Sequence, residues 1–458
     1  MIRDHDTIAA PATAAGGALA VIRISGEEAL RICDRIFRGR EPLAAAAGYT
    51  VHYGEIVDDG RVLDDVLVTV FRAPRSYTGE DAAEISCHGS QYIVSEILRL
   101  LTASGARMAG PGEFTIRAYL AGKLDLSQAE AVADIIASSS RAAHALAANQ
   151  MRGGYSDALE GLCEKLLELT ALLELELDFS EEEVEFADRA QLREAMQRIG
   201  AHIDALRNSF TLGNAIKEGV AVAITGAPNV GKSTLLNRLL NEERVLVSDI
   251  AGTTRDVIEE RINIDGVVFR FLDTAGIRAT DDVVERIGVE KARSYVKEAS
   301  LILALFDASR PLDSEDAEIL KLVRGRDAIL LLNKDDLAAV VTPAMLQERA
   351  GKDVTVITIS TRTQDGLADL TNAITAKVYA GTQAGQEGTF VTDARQAEIL
   401  RQADEHLEAS IRTIEASMGL DFISIDLRSA WEKLGELTGE TVGEDIINEI
   451  FSKFCIGK

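Results

Sequence analysis

Apolar residues follow different spacings in successive stretches of the chain. Up to about residue 120, short β-like runs at Leu19–Ile24, Val66–Phe71 and Ala83–Cys87 alternate with Gly-containing turns and a helical pattern at Tyr92–Ser104. This mixture predicts a compact α/β domain. From about Ser127 to Leu212 the chain lacks proline and carries Ala, Leu and Glu at helical spacing, which predicts a run of helices.

A second α/β pattern interrupts the helical one. Between Ile216 and Ala380, β-type runs alternate with helical stretches, and this alternation predicts a parallel sheet covered by helices. Helical patterning resumes after a linker at Gln383–Glu387. The predicted fold class is multidomain α/β plus all-α, with an N-terminal α/β domain at 1–120, a helical domain in two parts at 121–215 and 383–458, and an inserted α/β domain at 216–382. The predicted strands of the insert are Val220–Thr225, Val267–Leu272, Leu301–Phe306, Ala328–Leu332 and Val354–Ile359.

Charge and cysteine content limit the partners of the chain. Lys and Arg total 48 against 74 Asp and Glu, a formal charge of −26 over 458 residues, which repels nucleic acids and anionic membranes. Residues 1–155 contribute only −4 of this, from 15 basic and 19 acidic side chains, so a local RNA contact is expected there first. The 4 Cys lie far apart and no apolar run reaches membrane-spanning length. We therefore expect a cytoplasmic protein without a membrane partner.

A phosphate-binding loop is predicted at Gly226–Ser233, with the sequence Gly-Ala-Pro-Asn-Val-Gly-Lys-Ser. It follows a predicted strand and precedes a helical stretch, as the GxxxxGK[ST] pattern requires. The glycines let backbone N–H groups face the phosphates, Lys232 neutralises the distal phosphates, and the Ser233 hydroxyl is a ligand for magnesium. This stretch predicts nucleotide binding.

The identity of the base is predicted by Asn333-Lys334-Asp335-Asp336, an NKxD pattern directly after a predicted strand. A loop at the carboxyl edge of a parallel sheet is placed to meet a ligand. Asp336 offers two carboxylate oxygens to a ring N–H and an exocyclic amine, a donor pair that guanine has and adenine lacks. GTP is therefore favoured over ATP.

Two further stretches fit a GTPase switch. Asp273-Thr274-Ala275-Gly276 places a carboxylate near the magnesium shell, and Thr254, in a Gly-Thr-Thr-Arg-Asp stretch, offers a hydroxyl to the same ion. Ile277 stands where Ras-type enzymes carry the glutamine that orients water. A cation from a side chain, a partner or a bound ion must therefore take the part of an arginine finger. Asn229 offers an oxygen to such an ion.

Three separate sets of motifs stand out along the chain. They are Ser76–Asp81, Pro111–Thr115 and Gly122–Leu126 near the N-terminus, the nucleotide motifs above together with Asp249–Asp256, and the terminal Cys455-Ile456-Gly457-Lys458. On these motifs the chain resembles the MnmE (TrmE) family of bacterial tRNA-modification GTPases along essentially its whole length. Many GTPases share the nucleotide motifs, whereas the N-terminal set and the terminal tetrapeptide are specific to this family.

The resemblance implies an architecture and an activity. It implies a folate-binding N-terminal domain that dimerises, a helical domain split by an inserted G domain, and potassium-dependent juxtaposition of two G domains during hydrolysis. It also implies a homodimer that forms a heterotetramer with the FAD-containing protein MnmG. Together they would add a carboxymethylaminomethyl group to the wobble uridine of certain tRNAs, using GTP hydrolysis and a one-carbon unit from 5,10-methylenetetrahydrofolate or 5-formyltetrahydrofolate.

The resemblance also implies roles for individual residues. Magnesium would be held by Ser233 and Thr254, and potassium by Asn229, Ser248, Ile250 and Thr253. Folate would be bound by Arg23, Glu80, Lys123 and Lys458. The predicted catalytic residues are Glu285, Lys232, Thr254 and Cys455. The predicted GTP-binding residues are Gly226, Asn229, Val230, Gly231, Lys232, Ser233, Thr234, Ser248, Asp249, Ile250, Ala251, Gly252, Thr253, Thr254, Asp273, Thr274, Ala275, Gly276, Asn333, Lys334, Asp336, Ser360, Thr361 and Arg362.

Several assignments keep an alternative. Glu285 matches the family glutamate that organises the attacking water, and an exposed helical glutamate explains it equally well. Cys455 is a catalytic nucleophile or an inert family residue, whereas lipidation is excluded because Lys458 is last. The chain also departs from the family pattern at Ser360-Thr361-Arg362, at Ser90 and in the reduced glycine-rich opening Ala14–Ala18.

A second class of function also fits the nucleotide motifs. A regulatory or assembly GTPase that binds ribosomes or other RNA–protein particles would carry the same G domain and perform no modification chemistry. Such a switch has no need of the N-terminal motifs with Lys123 or of the terminal tetrapeptide. These features distinguish the two hypotheses, together with binding of 5-formyltetrahydrofolate.

Overall fold

The computed structural model describes most of the chain in two compact units. The first unit comprises Met1–Ala133, Gln150–Glu181 and Ser424–Lys458, and the second comprises Asp134–Asn149 and Glu182–Ile423. The residues that the structure describes are 6–14, 16–178, 189–242, 260–272, 295–351, 354–379, 389–416, 419–452 and 454–457.

A seven-stranded sheet organises the first unit. In spatial order its strands are β3 (Phe37–Gly39), β4 (Thr50–Asp58), β5 (Arg61–Phe71), β6 (Ala82–His88), β2 (Leu19–Ser25), β1 (Ile8–Pro11) and β7 (Arg107–Met108). Neighbours are antiparallel except β1 and β7. The helices α1 (Ala29–Ile36) and α2 (Gln91–Ala103) contribute to the apolar core, with Ile32, Ile97 and Leu101 packed among Ile22, Ile24 and Ile85.

The alternation of side chains along β2 separates this core from a polar face. Ala20, Ile22 and Ile24 point into the core, so Arg23 and Ser25 lie on the other face of the sheet. This second face carries the polar cluster described below.

Further helices lie wholly or mostly in the first unit. In order they are α3 (Glu113–Leu120), α4 (Leu126–Ala137), a helix at Gly154–Asp178, one at Leu420–Thr438 and one at Glu444–Ser452. Ile116, Leu126, Ile447, Ile450 and Phe451 pack in one apolar cluster. Beyond it, Pro111 and Ile456 form an isolated β-bridge, and the Gly112 N–H donates to the Cys455 carbonyl at 3.3 Å.

A six-stranded sheet organises the second unit. In spatial order its strands are β13 (Thr355–Thr358), β12 (Ala328–Asn333), β11 (Leu301–Asp307), β8 (Val220–Gly226), β10 (Val267–Phe271) and β9 (Glu260–Ile264). Apolar clusters cover both faces of this sheet, as expected for strands between two helix layers.

The helices after α4 are numbered along the chain. The helix Gly154–Asp178 of the first unit is α6, and the others are α5 (Arg141–Met151), α7 (Arg189–Asn208), α8 (Phe210–Glu218), α9 (Lys232–Glu242), α10 (Ser314–Val323), α11 (Pro343–Ala350), α12 (Leu367–Tyr379) and α13 (Ala394–Glu415).

The predicted multidomain class is confirmed, and the predicted parallel sheet is confirmed except at one edge. Strands β13, β12, β11, β8 and β10 pair in parallel, whereas β9 and β10 form an antiparallel hairpin. The hairpin turn is Asp265-Gly266, with φ of 51° and 85°. An Asp-Gly pair with two positive φ angles is favoured in a two-residue hairpin. The two sheets lie within the predicted ranges 1–120 and 216–382, while the boundaries of the four domains stay a prediction.

Candidate functional site

The phosphate loop joins β8 to α9 through two residues with left-handed backbones. Asn229 has a φ of 58° and Gly231 a φ of 109°. A Cβ atom on Gly231 would lie 2.3 Å from the Asn333 side-chain nitrogen, so only glycine fits between the loop and β12. The helix α9 then begins at Lys232, with Ser233 and Thr234 in its first turn. Backbone N–H groups at a helix N-terminus have no partner within the helix and favour an anion.

The Lys232 ammonium lies over the loop. It donates to the Gly226 carbonyl at 2.8 Å and to the Ala227 carbonyl at 2.9 Å. These bonds hold a positive charge at the mouth of the loop, beside the first turn of α9. The predicted phosphate-binding residues Gly226, Asn229, Val230, Gly231, Lys232, Ser233 and Thr234 are thus brought together.

Asn333 ties the phosphate loop to the two loops predicted to bind the base. Its side-chain nitrogen donates to the Val230 carbonyl at 2.7 Å and to the Thr361 hydroxyl at 3.2 Å, and its side-chain oxygen accepts from the Thr361 N–H at 3.0 Å. Asn333 is only 1% exposed. The phosphate end and the base end of the site are therefore fixed relative to each other.

Asp336 is oriented by the loop after β13. The Ser360 hydroxyl donates to one Asp336 oxygen at 2.8 Å, and the Arg362 guanidinium lies 3.7 Å from the other. Arg362 itself is 83% exposed along its side chain. Although Ser360-Thr361-Arg362 departs from the family pattern, Ser360 still donates its hydroxyl to Asp336 and Thr361 still bonds to Asn333. Both contacts hold the NKxD loop in place.

An acid that the sequence patterns missed holds the second residue of the NKxD loop. Lys334 has a left-handed backbone with a φ of 68°, and its ammonium lies 2.6 Å from an Asp307 carboxylate oxygen. Burial alone would raise the pKa of Asp307, but hydrogen bonds from Lys334 and Ser309 hold that pKa below its usual value. The only sequence signal for Asp307 is its position at the end of the apolar run Leu301–Phe306.

The polar face of the first sheet contains two of the predicted folate ligands, each with an internal partner. The Arg23 guanidinium donates to Glu84 at 2.7 and 3.0 Å and lies 5.3 Å from the centre of the Tyr77 ring and 5.6 Å from that of Phe114. Glu80 accepts from the Ser25 hydroxyl at 2.7 Å. Aromatic rings can stack on a flat heterocyclic ligand, and fixed charged groups can pair with its polar and carboxylate groups.

Arg117 is a further residue of this face that the sequence patterns missed. It is 6% exposed, and its guanidinium donates to both Glu80 oxygens at 3.0 and 3.2 Å and to Asp6 at 2.5 Å. Lys123 lies on an exposed loop and donates to the Pro74 carbonyl at 2.7 Å. The structure therefore joins Arg117 to Glu80 and attaches Lys123 to the segment before Ser76.

The end of the chain reaches the same face. The Gly457 carbonyl accepts from Arg23 at 3.4 Å. A Cβ atom on Gly457 would lie 2.2 Å from the Pro11 carbonyl oxygen, so the approach requires glycine. Cys455 is exposed and carries a free thiol. The terminal motif thus lies in contact with the strand that carries Arg23.

Several predicted site residues lie outside the described part of the chain. They are the switch and potassium residues Ser248, Asp249, Ile250, Ala251, Gly252, Thr253 and Thr254, the second switch Asp273, Thr274, Ala275 and Gly276, and Glu285 and Lys458.

Family models match both parts of the chain. The model of the GTP-binding protein TrmE N-terminus matches residues 7–123, and that of the MnmE helical domain matches residues 126–455. The tRNA modification GTPase MnmE of Flavobacterium johnsoniae is 46% identical over 465 residues, which cover 99% of this chain and 100% of that protein. The chain belongs to the MnmE family of tRNA modification GTPases.

Other relatives extend the match. The MnmE protein of Bacillus velezensis is 43% identical over 459 residues, covering 99% of this chain and 100% of that protein. The solved G domain of the T. maritima FeoB iron transporter is 25% identical over 36% of this chain and 99% of its own, at a TM-score of 0.26, which is too low to compare architectures. Among the residues that the structure describes, no helix is long and apolar enough to cross a membrane. Membership of the MnmE family confirms the predicted GTPase and GTP binding.

Proposed function

We propose that this chain is a potassium-activated GTPase that acts as a homodimer in the cytoplasm, in a heterotetramer with the FAD-containing protein MnmG. The complex adds a carboxymethylaminomethyl group to the wobble uridine of certain tRNAs. Membership of the MnmE family supports the tRNA-modification part of this proposal. The GTPase part rests on the hydrogen bonds of Asn333 in the NKxD motif, whose side chain links Val230 in the phosphate loop to Thr361 in the loop after β13.

Different residues of the G domain have different roles in GTP binding and hydrolysis. Lys232 places its ammonium against the distal phosphates, and the backbone N–H groups at the start of α9 hold the remaining oxygens. Asp336, oriented by Ser360, accepts the two N–H donors of guanine. Glu285 is proposed to orient the attacking water. Since phosphoryl transfer is accelerated chiefly by neutralising developing charge, these groups act mainly by position.

Two cations complete the proposed site. Ser233 and Thr254 would hold magnesium, and Asn229, Ser248, Thr253 and the Ile250 carbonyl would hold potassium; such oxygen ligands suit hard cations. Of the potassium set, Asn229 lies among the described residues; it belongs to the loop between β8 and α9 and has a left-handed backbone. When bound, the potassium ion supplies the positive charge that an arginine finger supplies elsewhere.

The polar face of the first sheet is the proposed folate site. Arg23 presents a fixed cation beside the Tyr77 and Phe114 rings, and Glu80 presents a carboxylate held by the Ser25 hydroxyl. This combination fits a ligand with a polar heterocycle and glutamate carboxylates. Lys123 and Lys458 are proposed to pair with the ligand carboxylates. When bound, the tetrahydrofolate supplies the one-carbon unit. Cys455, exposed beside this face, is the proposed nucleophile of the set.

GTP turnover by the full chain in potassium buffer and in matched sodium buffer tests the first half of the proposal. We expect strong stimulation by potassium, and loss of that stimulation in Asn229→Ala with GDP binding retained. Equal turnover in the two buffers would refute ion-completed catalysis and favour an assembly GTPase with an external activator.

Binding of 5-formyltetrahydrofolate to the full chain tests the proposed folate site. Arg23→Ala is the variant expected to lose this binding, and Arg61→Ala, on β5, is the control.

A further inference from the structure

The end of β11 carries a buried acid that belongs to none of the nucleotide motifs. Asp307, the last residue of β11, is 6% exposed. One carboxylate oxygen lies 2.6 Å from the Lys334 ammonium, and the other accepts from the N–H and the hydroxyl of Ser309 at 2.9 and 2.6 Å. Because both oxygens are engaged, the carboxylate has a fixed orientation.

Lys334 is the residue that this carboxylate holds. Its φ of 68° is disfavoured for any residue with a Cβ atom, so the conformation persists only where the surroundings enforce it. Lys334 also begins a turn, since the Leu337 N–H donates to the Lys334 carbonyl at 2.9 Å. Asp336 lies inside that turn. The position of the Asp336 carboxylate therefore depends on the backbone of Lys334.

We propose that Asp307 is a positioning residue for guanine recognition: its ion pair with Lys334 fixes the left-handed start of the turn that presents Asp336 to the base. This inference rests on the proposed role of Asp336. The lowered pKa of Asp307 agrees with it, because the carboxylate stays charged, and the ion pair intact, across the neutral range.

A purely structural role for Asp307 predicts something different. The backbone beside it is held independently of its side chain, because the Ala308 N–H donates to the Asn333 carbonyl at 2.9 Å and the Ala308 carbonyl accepts from the N–H groups of Val340 and Val341 at 2.7 and 3.1 Å. Removing the charge of Asp307 should therefore leave β11 and β12 in place. A positioning role shows in nucleotide affinity, whereas a structural role shows only in thermal stability.

The test is titration of the full chain with a fluorescent GDP analogue. Asp307→Asn keeps the shape of the side chain and removes its charge, and we expect it to raise the dissociation constant five- to tenfold. The control is Asp327→Asn, which breaks an ion pair of similar length, 2.9 Å, between Asp327, the residue before β12, and Lys377 of α12; Asp327 is 74% exposed. The control should stay within twofold of the wild type.

A second background shows whether Asp307 acts through Lys334. In Lys334→Met, the added Asp307→Asn substitution should have no further effect on GDP affinity, because the ion pair is already absent. An undiminished further loss in that background would overturn the proposal, as would wild-type affinity in Asp307→Asn. Asp307→Glu, which keeps the charge and displaces it by one methylene, is the second variant, expected to lose affinity at least twofold; unchanged affinity there also overturns the proposal.

Asp336→Asn in the same titration separates this inference from the function on which it rests. Unchanged GDP affinity in Asp336→Asn would refute the base-binding role of Asp336 itself. Loss of affinity in Asp336→Asn together with none in Asp307→Asn would refute only the positioning role of Asp307.

Discussion

Replacing Asn333 by alanine should uncouple the two ends of the nucleotide site. The substitution removes the donor to the Val230 carbonyl and the acceptor for the Thr361 N–H, and both residues are buried. A buried polar group left without a partner costs about 1–3 kcal/mol, so the two groups together cost about 2–6 kcal/mol. If ordering the two uncoupled loops costs about 3 kcal/mol of this when the nucleotide binds, GDP affinity falls about a hundredfold.

The assay is titration of the nucleotide-free full chain with a fluorescent GDP analogue, with circular dichroism as a check that the variant is folded. The matched control is Asn263→Ala, which removes one side-chain acceptor from the Gly266 N–H at 2.9 Å in the β9–β10 turn. A dissociation constant for Asn333→Ala within threefold of the wild type would refute the coupling. A similar loss in Asn263→Ala would show that any side-chain hydrogen bond in the domain has this effect.

Three further outcomes are expected. Asp336→Asn should weaken the preference for guanine over other purine nucleotides, because an amide cannot accept from both N–H donors of the base; competition binding measures this, and unchanged selectivity contradicts it. Glu285→Ala should slow GTP turnover while sparing nucleotide binding, and equal turnover would remove Glu285 from the mechanism. Burial raises the pKa of Cys33 and Cys163 to about 12 and that of Cys87 to about 11, so only Cys455 should react with a thiol reagent at pH 8; a second reactive thiol in the native chain would contradict this.

The parts of the site that the sequence could predict are local in the chain. The phosphate loop depends on the backbone between β8 and α9, where glycine spacing and the lysine after Gly231 are visible as a pattern. The NKxD loop is likewise a short stretch after a strand. Strand–loop–helix order is enough to place both loops at the carboxyl edge of the sheet.

The parts that escaped prediction depend on partners far away in the sequence. Asp307 meets Lys334 across 27 residues, Arg117 meets Glu80 across 37, and Ser25 meets Glu80 across 55. An isolated Asp at a strand end or an Arg in a short helix carries no pattern that names such a partner. The antiparallel edge strand β9 is absent from the predicted strands for a different reason: alternating strands and helices predict parallel pairing, whereas its Asp-Gly turn is the signal of a hairpin.

The contact between Arg23 and Gly457 also bears on how the protein is made. These residues are 434 positions apart, whereas all seven strands of the first sheet lie between Ile8 and Met108. Domains generally fold as units during synthesis, N-terminal first, so the sheet can form while the ribosome is still translating the G domain. The surroundings of Arg23 are complete only after Gly457 has been added. Translation that stops before residue 457 would therefore yield a folded sheet whose polar face lacks this contact.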